Sequence, residues 1–453
     1  MTGPEIGGVW HPDLRAVSIG ATGLVAILAL EYIAVGTAMP TVAAELDGLA
    51  LYALAFASTV AASVVGLILG GWWSDHHGPA PVVLAGCLAF AGGLTIAGLA
   101  PTMEVFVTGR GVQGLGSGLA SVAVYVVIAQ TVPDALRPKV FSLLAAAWVV
   151  PGLAGPVLAG AVTQHVGWRW VFLGVVPLAL IALWVLRPAL ARTAPTGDAP
   201  HLRPLTIVWA LIAAASVASL NLAGDRVSAR EVLVGAPVVL LLVVAAAVLL
   251  PTGTLRLCRG LPSVIATRGL IGASFIASEA YLPLLLQRLH GYTPTAAGAV
   301  LAVGSVTWAA GSWWQGRMAD HSDRSRLLLG GCAVTLGGAV LLVASVLLDW
   351  PGWTILVIWG WATLGIGFAY PTTSLMTLRL SPPALVGANS SALQVSESLA
   401  SALVLAGAGA AFTAVYAGSS RMAFTAVTAA GLFAAALSVL TAARTRARVG
   451  SYD

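Results

Sequence analysis

Two stretches of the sequence share one pattern: residues 70–78 read GGWWSDHHG, and residues 311–324 read GSWWQGRMADHSDR. Each stretch follows a long apolar segment and contains a tryptophan pair and a Gly-x-x-x-Asp-His sequence. Their aspartates, Asp75 and Asp320, lie 245 residues apart, and two glutamates in apolar segments, Glu31 and Glu279, lie 248 residues apart. Near-equal offsets predict a chain built from two similar halves.

The composition places these halves in a membrane. The 453 residues are 58% hydrophobic and only 9% charged, and a soluble surface cannot be built from so few charges. The sequence contains neither a nucleotide-binding Gly-Lys-Ser/Thr loop nor a Ser-His-Asp arrangement, and its three cysteines lack ligand spacing. We therefore expect an all-α polytopic membrane protein that is not an enzyme, with no cofactor, no metal site and no nucleic-acid partner.

Fourteen apolar segments have the length of a membrane span. They run approximately over 16–39, 49–73, 81–100, 105–132, 140–164, 169–187, 205–222, 232–250, 261–287, 295–316, 327–348, 354–378, 385–416 and 422–443. The repeat then predicts a six-helix bundle over 1–190, a linker with two additional transmembrane helices over 191–260, and a second six-helix bundle over 261–453.

The basic residues predict the orientation of these segments. With the N-terminus inside, sixteen Lys and Arg residues, Arg268 among them, fall on the cytoplasmic face and five on the opposite face, while Arg110 lies within a span. This asymmetry agrees with the positive-inside rule. We expect both termini in the cytoplasm and, because a signal-peptide cleavage site is lacking, a retained first helix.

Several motifs resemble those of one family. They are LEYIAVGTAMP (30–40), VTGRGVQGLGSG (107–118), AWVVPGLAGPVLAG (147–160) and WRWVFLGVVP (168–177), together with the two Gly-x-x-x-Asp loops. The chain resembles the major facilitator superfamily along nearly its whole length. More narrowly, it resembles the fourteen-helix drug:proton antiporter branch, as found in actinobacterial multidrug efflux. The resemblance implies two pseudo-symmetric six-helix halves plus two inserted helices.

The resemblance also implies a function. It implies a proton-coupled secondary active transporter that exports hydrophobic drugs or other small molecules by alternating access, as a monomer in a bacterial plasma membrane. Protons would be the coupling ion, and hydrophobic substrates and membrane lipids the partners. An exporter of lipids or lipid-like metabolites on the same fold remains open. A non-transporting receptor or scaffold also remains open, because His76 and His77 replace the usual basic residue of the first loop motif.

Three ionisable residues within spans are the candidates for proton coupling: Glu31, Arg110 and Glu279. Ionisable side chains are expensive in a membrane and are functional by default. A buried carboxylate tends to bind a proton unless a cation is near, whereas an arginine keeps its proton and must find a partner. The alternatives are that Glu31 and Arg110 reach toward the membrane surface and that Glu279 only bonds a neighbouring helix.

Candidate substrate contacts combine polar groups with aromatic rings inside spans. They are Tyr32, Gln113, Trp148, Tyr281, Tyr370, Asn389, Gln394 and Glu397. Ordinary packing and a helix–helix hydrogen-bond seam are the competing interpretations for this set.

The resemblance assigns gating roles to the two loop motifs and to the Gly-Pro motif of the fifth segment. The residues are Gly71, Asp75, Gly155, Pro156, Gly316, Arg317 and Asp320. In that role the loop aspartate caps or pairs with the end of another helix.

Overall fold

The structure, a computed structural model, describes residues 8–48, 51–195, 204–222, 229–292, 294–318, 323–416 and 418–445. Within these ranges the regular structure is entirely helical. The α-helices are α1 (Pro12–Glu45), α2 (Tyr52–His77), α3 (Pro79–Gly98), α4 (Met103–Thr131), α5 (Arg137–Ala146), α6 (Val149–His165), α7 (Arg169–Leu173), α8 (Val175–Leu190), α9 (Pro204–Leu222), α10 (Ala229–Leu249), α11 (Leu261–His290), α12 (Pro294–Arg317), α13 (Arg324–Leu347), α14 (Gly352–Leu380), α15 (Val386–Tyr416) and α16 (Ser420–Ala442).

Two of the expected spans are broken helices, and proline explains both breaks. A proline has no N–H to bond the carbonyl four residues earlier. Pro151 lies four residues after Ala147, where the chain passes from α5 to α6, and Pro177 lies four residues after Leu173, where α7 ends. When α5 with α6 and α7 with α8 are each counted as one crossing, the described helices are compatible with fourteen spans. Eleven segments of the described residues are long and apolar enough to cross a membrane.

A third proline is accommodated without a break. Pro371 lies inside α14 and frees the carbonyl of Gly367. The buried Ser312 hydroxyl of α12 donates to that carbonyl at 3.0 Å. A freed backbone group inside a membrane helix needs such a partner, because no water is present to supply one.

The helices form two compact units. Unit 1 comprises Met1–Arg203 and Ser381–Ser391, and unit 2 comprises Pro204–Leu380 and Ala392–Asp453. The inserted pair, α9 and α10, pack against each other and belong to unit 2, and α15 begins in unit 1 and continues in unit 2. The sequence-based division at residues 190 and 260 stays a prediction.

In unit 1, α4 packs against both α2 and α3, and α1 packs against α6 and α8. An aromatic cluster fills the core beside α4, where Phe106 meets Trp168 and Phe172 edge to face at 5.9 and 5.2 Å between ring centroids. Glycines permit the close approach of α4 to its neighbours. A Cβ on Gly118 would lie 2.8 Å from the backbone nitrogen of Leu67 in α2, which is too close for any side chain.

Unit 2 repeats this arrangement of helices. Its α14 packs against α12 and α13, and its α11 packs against α16, as α4 and α1 do with the corresponding helices of unit 1. Gly311 of α12 faces Gly367 of α14, just as Gly66 of α2 faces Gly118 of α4. These two glycine pairs are offset by 245 and 249 residues, so the helix contacts follow the same internal repeat as the loop motifs.

Candidate functional site

A buried ion pair joins α1 to α4 in unit 1. Arg110 donates from Nη1 to Glu31 Oε1, and the two residues are only 3% and 4% exposed. Arg110 also donates to the side-chain oxygen of Gln113 at 2.6 Å and, from Nε, to the carbonyl of Ala55 at 3.4 Å. The three candidates Glu31, Arg110 and Gln113 therefore lie together, and neither charged side chain reaches toward the surface.

The sequence produces this contact through helix spacing and small residues. Arg110 and Gln113 are three positions apart on α4, so their side chains share one face of the helix. Thr59 of α2 donates its hydroxyl to the carbonyl of Arg110 at 3.2 Å, and Gly114 follows one turn later with α2 backbone directly against it. Close packing of α2 on α4 thus surrounds the arginine with protein.

The pair has only one member that can exchange a proton. A guanidinium keeps its proton at any physiological pH, whereas a carboxylate can be protonated. If Glu31 binds a proton, Arg110 loses its anionic partner but retains the Gln113 oxygen and the Ala55 carbonyl. Protonation of Glu31 would therefore remove the ion pair and leave the arginine held by these two neutral contacts.

A second buried pair lies in unit 2, between α11 and α15. Arg268 Nε donates to Glu397 Oε2 at 2.7 Å, and the Tyr370 hydroxyl of α14 donates to Glu397 Oε1 at 2.7 Å. Arg268, which the charge count assigns to the cytoplasmic side, is only 7% exposed and lies among α11, α14 and α15. Arg268 occurs eight residues into α11, so its position inside an apolar segment was a usable sign of burial.

Glu279, the third candidate for proton coupling, is half-buried on α11. It lies within electrostatic range of the Tyr370 phenol. Among the described residues of unit 2, the ion pairs do not include Glu279. Its neighbour Tyr281 packs against Phe412 of α15, with ring centroids 5.1 Å apart.

Asp75 contacts the beginning of another helix. Its two carboxylate oxygens accept hydrogen bonds from the backbone N–H groups of Gly387 and Ala388, at 2.6 and 2.7 Å, in the first turn of α15. The first N–H groups of a helix have no partner within it, and they favour an anion. Gly71, one turn before Asp75, lets α2 approach: a Cβ there would lie 2.7 Å from the Gly387 carbonyl oxygen and from Ser391 Cβ.

The second loop motif is described only up to the end of α12. Gly316 and Arg317 close this helix, and the Arg317 guanidinium lies over the Trp313 ring at 3.6 Å from its centroid. Asp320 lies outside the described residues. The motif of the fifth segment is in α6, where Gly155 packs against Leu30 and Ile33 of α1. Pro156 belongs to the same helix, and its side chain lies outside the described part.

The remaining candidates are distributed over both units. Tyr32 and Trp148 are 58% and 46% exposed and meet edge to face at 6.2 Å in unit 1, next to Glu31 in sequence and at the α5–α6 break. Asn389 donates to the Ser381 hydroxyl at 3.0 Å, within the part of α15 that belongs to unit 1. Gln394 has a buried amide nitrogen without a hydrogen-bond partner among the described residues.

Comparison with known proteins gives a consistent picture. Residues 21–405 match the Major Facilitator Superfamily. A Mycobacterium tuberculosis protein named as a probable multidrug-efflux transporter is 29% identical over 468 aligned residues, which cover 94% of this chain and 96% of the relative. Multidrug resistance protein 3 of Bacillus subtilis is 28% identical over 158 residues, or 35% of this chain and 31% of the relative.

Solved structures share the fold at low sequence identity. The human organic anion transporter MFSD10 superposes with a TM-score of 0.69 at 16% identity, covering 94% of this chain and 99% of that one. The proton:xylose symporter XylE superposes with a TM-score of 0.64 at 15% identity, covering 93% and 94%. With the family match spanning most of the sequence and the helical units described above, the chain belongs to the Major Facilitator Superfamily and is a multi-pass membrane transporter, not an enzyme.

Proposed function

We propose that this transporter exports small hydrophobic compounds in exchange for protons, with Glu31 as the proton carrier and Arg110 as its fixed partner. The observation that carries the proposal is the buried Glu31–Arg110 pair, with Gln113 at its side. An ion pair removed from water is stable only while both charges are present, so one proton changes its state sharply. The export of drugs is suggested by the relative from Mycobacterium tuberculosis.

The cycle follows from the chemistry of the pair. A compound that enters from the cytoplasm competes with the proton on Glu31, and the proton is released when the carboxylate pairs with Arg110. After export of the compound, a proton from outside binds Glu31 and opens the pair again. Each proton that moves inward supplies about 2.3 kcal/mol per 100 mV of membrane potential and about 1.36 kcal/mol per unit of pH difference. That driving force is sufficient to concentrate a neutral solute severalfold or more.

Alternating access also requires a contact that forms and breaks during the cycle. We assign this role to Asp75, because it holds the first turn of α15, a helix that continues into unit 2. Gly71 is the residue that permits the approach. In this proposal the protein works as a monomer in a bacterial plasma membrane, with both termini in the cytoplasm and protons as the coupling ion. Exposed Tyr32 and Trp148 supply aromatic surface for hydrophobic compounds.

Everted membrane vesicles test the exchange. Ethidium and Hoechst 33342 serve as fluorescent probes of transport, and a pH-sensitive dye records proton movement. We expect probe uptake to release protons from energised vesicles, and Glu31→Gln to abolish both signals. The matched control is Glu104→Gln, the same change on exposed α4 surface. Unchanged proton-coupled transport in Glu31→Gln would remove Glu31 from the mechanism.

The same vesicles separate the alternatives. A receptor or scaffold would move neither probe nor protons in the wild-type protein. An exporter of lipids would move a fluorescent phospholipid between leaflets and leave the soluble dyes untouched. Only drug–proton exchange couples the soluble probes to the pH signal.

A further inference from the structure

The loop that connects α10 to α11, residues 250–260, has a compact backbone. The N–H group of Leu257 donates to the Thr254 carbonyl at 3.1 Å, which closes one turn. The N–H group of Cys258 donates to the Gly253 carbonyl at 3.0 Å. Leu257 has a φ of 54°, in the left-handed region that favours glycine, and a leucine keeps this conformation only where the surrounding structure holds it. The backbone of the loop is therefore held in one shape.

Three exposed arginines are gathered at this loop. Arg256 and Arg259 belong to the loop itself, and Arg444 follows the end of α16. The carbonyl of Arg444 accepts a hydrogen bond from the Gly260 N–H group at 3.2 Å, and its guanidinium donates to the Leu257 carbonyl at 3.3 Å. The three arginines therefore lie within one small area of the surface of unit 2.

The charges of these arginines are not neutralised by acidic neighbours. Residues 250–268 and 435–450 contain neither Asp nor Glu, and two more arginines, Arg446 and Arg448, follow in the sequence outside the described residues. Among the described residues of unit 2, the ion pairs join other side chains and include none of the three. The Leu257 carbonyl takes one of the five N–H donors that the Arg444 guanidinium offers. The area is therefore ready to bind an anion.

The position of the loop indicates which anion. The loop lies at the membrane boundary, because α11 begins directly after it and is long and apolar enough to span a membrane. Leu255, next to Arg256, is an exposed apolar side chain. At this depth an apolar group can enter the layer between headgroups and acyl chains, while guanidinium groups bind phosphate oxygens. A soluble polyanion would gain nothing from the exposed leucine, whereas a phospholipid uses both features.

We propose that the α10–α11 loop and Arg444 form a binding site for an anionic phospholipid, with Arg256, Arg259 and Arg444 on the headgroup phosphate and Leu255 against the acyl chains. The inference goes beyond the proposed drug–proton exchange and does not depend on it. It gives the inserted pair a role, because the connection from α10 to α11 is anchored to lipid. The competing interpretation is that these arginines only orient the chain in the membrane, without binding a particular lipid.

The loop carries its own reporter for a binding experiment. Cys258 is exposed, whereas Cys87 and Cys332 are buried, so a maleimide fluorophore attaches to the loop of the folded full-length protein in detergent. The labelled protein is titrated with dioleoylphosphatidylglycerol and with dioleoylphosphatidylcholine, which differ in headgroup charge and share their acyl chains. Each arginine near an anionic headgroup strengthens binding about fivefold, so three of them should favour phosphatidylglycerol by about 100-fold. Equal affinities for the two lipids would overturn the proposal.

Two variants with the same change in charge separate a site from a general effect of charge. The loop variant combines Arg256→Gln, Arg259→Gln and Arg444→Gln and should lose the preference for phosphatidylglycerol. The matched control removes three exposed arginines from other helices, Arg15→Gln, Arg187→Gln and Arg326→Gln, and should keep the preference. An equal loss in both variants would show that the total charge of the protein, and not the loop, attracts the lipid, and the inference would be wrong.

Single variants keep the test decisive should the loop variant fail to fold. Arg256→Gln and Arg259→Gln alter one exposed side chain each, and each should weaken binding of phosphatidylglycerol about fivefold. Unchanged affinity in both would contradict the site. Inorganic phosphate, titrated alone, should leave the fluorescence unchanged, because it lacks the acyl chains that contact Leu255. Binding of phosphate with the affinity of the lipid would overturn the assignment to a phospholipid.

Discussion

The contact between Asp75 and α15 gives the sharpest prediction, because its geometry fixes what a substitution removes. The carboxylate is 2% exposed and accepts two backbone N–H groups, from Gly387 and Ala388. In Asp75→Asn the amide oxygen accepts only one of them, and the amide N–H₂ group faces the other donor. One charge-assisted hydrogen bond is lost and one buried N–H group is left unpaired, so the contact weakens by about 2 to 3 kcal/mol. That corresponds to about a 30- to 150-fold rise in the population with the contact open.

A single introduced cysteine can report this opening. Ser391 is 5% exposed and faces Gly71 across the same contact, so a thiol introduced by Ser391→Cys is shielded while the first turn of α15 stays on α2. The exposed Cys258 is replaced by serine, and the buried Cys87 and Cys332 remain as internal markers of global unfolding. When closing is fast relative to the reaction, the rate of maleimide labelling is proportional to the open population.

We expect Asp75→Asn to speed labelling of the introduced thiol by about the same factor of 30 to 150, with Cys87 and Cys332 still protected. The matched control is Asp134→Asn, an exposed aspartate of unit 1 that pairs with Arg137. An unchanged labelling rate in Asp75→Asn would refute the reasoning, because the carboxylate would then contribute nothing to holding α15. Simultaneous labelling of the two buried cysteines would instead indicate loss of the fold.

Two further predictions concern packing and the exposed aromatic pair. Gly118→Ala places a methyl group against the backbone of α2. We expect it to lower the thermal melting temperature in detergent by the equivalent of about 1 to 3 kcal/mol of stability. The control Gly92→Ala has open space around the added methyl group and should leave the melting temperature unchanged. Tyr32→Ala should leave the melting temperature unchanged and weaken ethidium binding by about 2- to 10-fold, because an aromatic contact is lost. Trp184 is 65% exposed on α8, and Trp184→Ala should weaken ethidium binding by less. Equal melting temperatures of the two glycine variants, or equal ethidium affinities of the two aromatic variants, would contradict these predictions.

Most of the fold could be predicted from the sequence because apolar length and internal repetition are local signals. The offset of 245 residues between Asp75 and Asp320 recurs between Gly66 and Gly311 in the packed helices. The helix breaks at Ala147 and Leu173 could not be predicted from the sequence alone. A proline can break a helix, or the carbonyl that it frees can accept a hydrogen bond from a neighbouring helix. Pro371 shows the second outcome only because Ser312 lies opposite Gly367, and the sequence does not reveal which residue will lie opposite.

The candidate site was predictable in part for the same reason. Charges are rare in apolar spans, so the sequence identifies Glu31, Arg110 and Glu397 as unusual. Which residue each of them pairs with is determined by the tertiary structure. Arg268 and Glu397 are 129 positions apart, and the charge count assigned Arg268 to the cytoplasmic side because it lies near the beginning of α11. The Arg268 side chain is buried because α14 and α15 pack against it, and no local pattern in the sequence shows that these helices lie there.

The two units share their packing but not their chemistry. Glycines at similar offsets bring α2 onto α4 and α12 onto α14, so the close contacts between helix backbones repeat from one unit to the other. The charges do not repeat: unit 1 places its carboxylate on its first helix and its arginine on α4, whereas unit 2 places its arginine on α11 and its carboxylate on α15. Helix packing depends on residues that must stay small, and these leave other positions free to carry charge. Each unit can therefore hold a neutral ion pair in its own place within one fold.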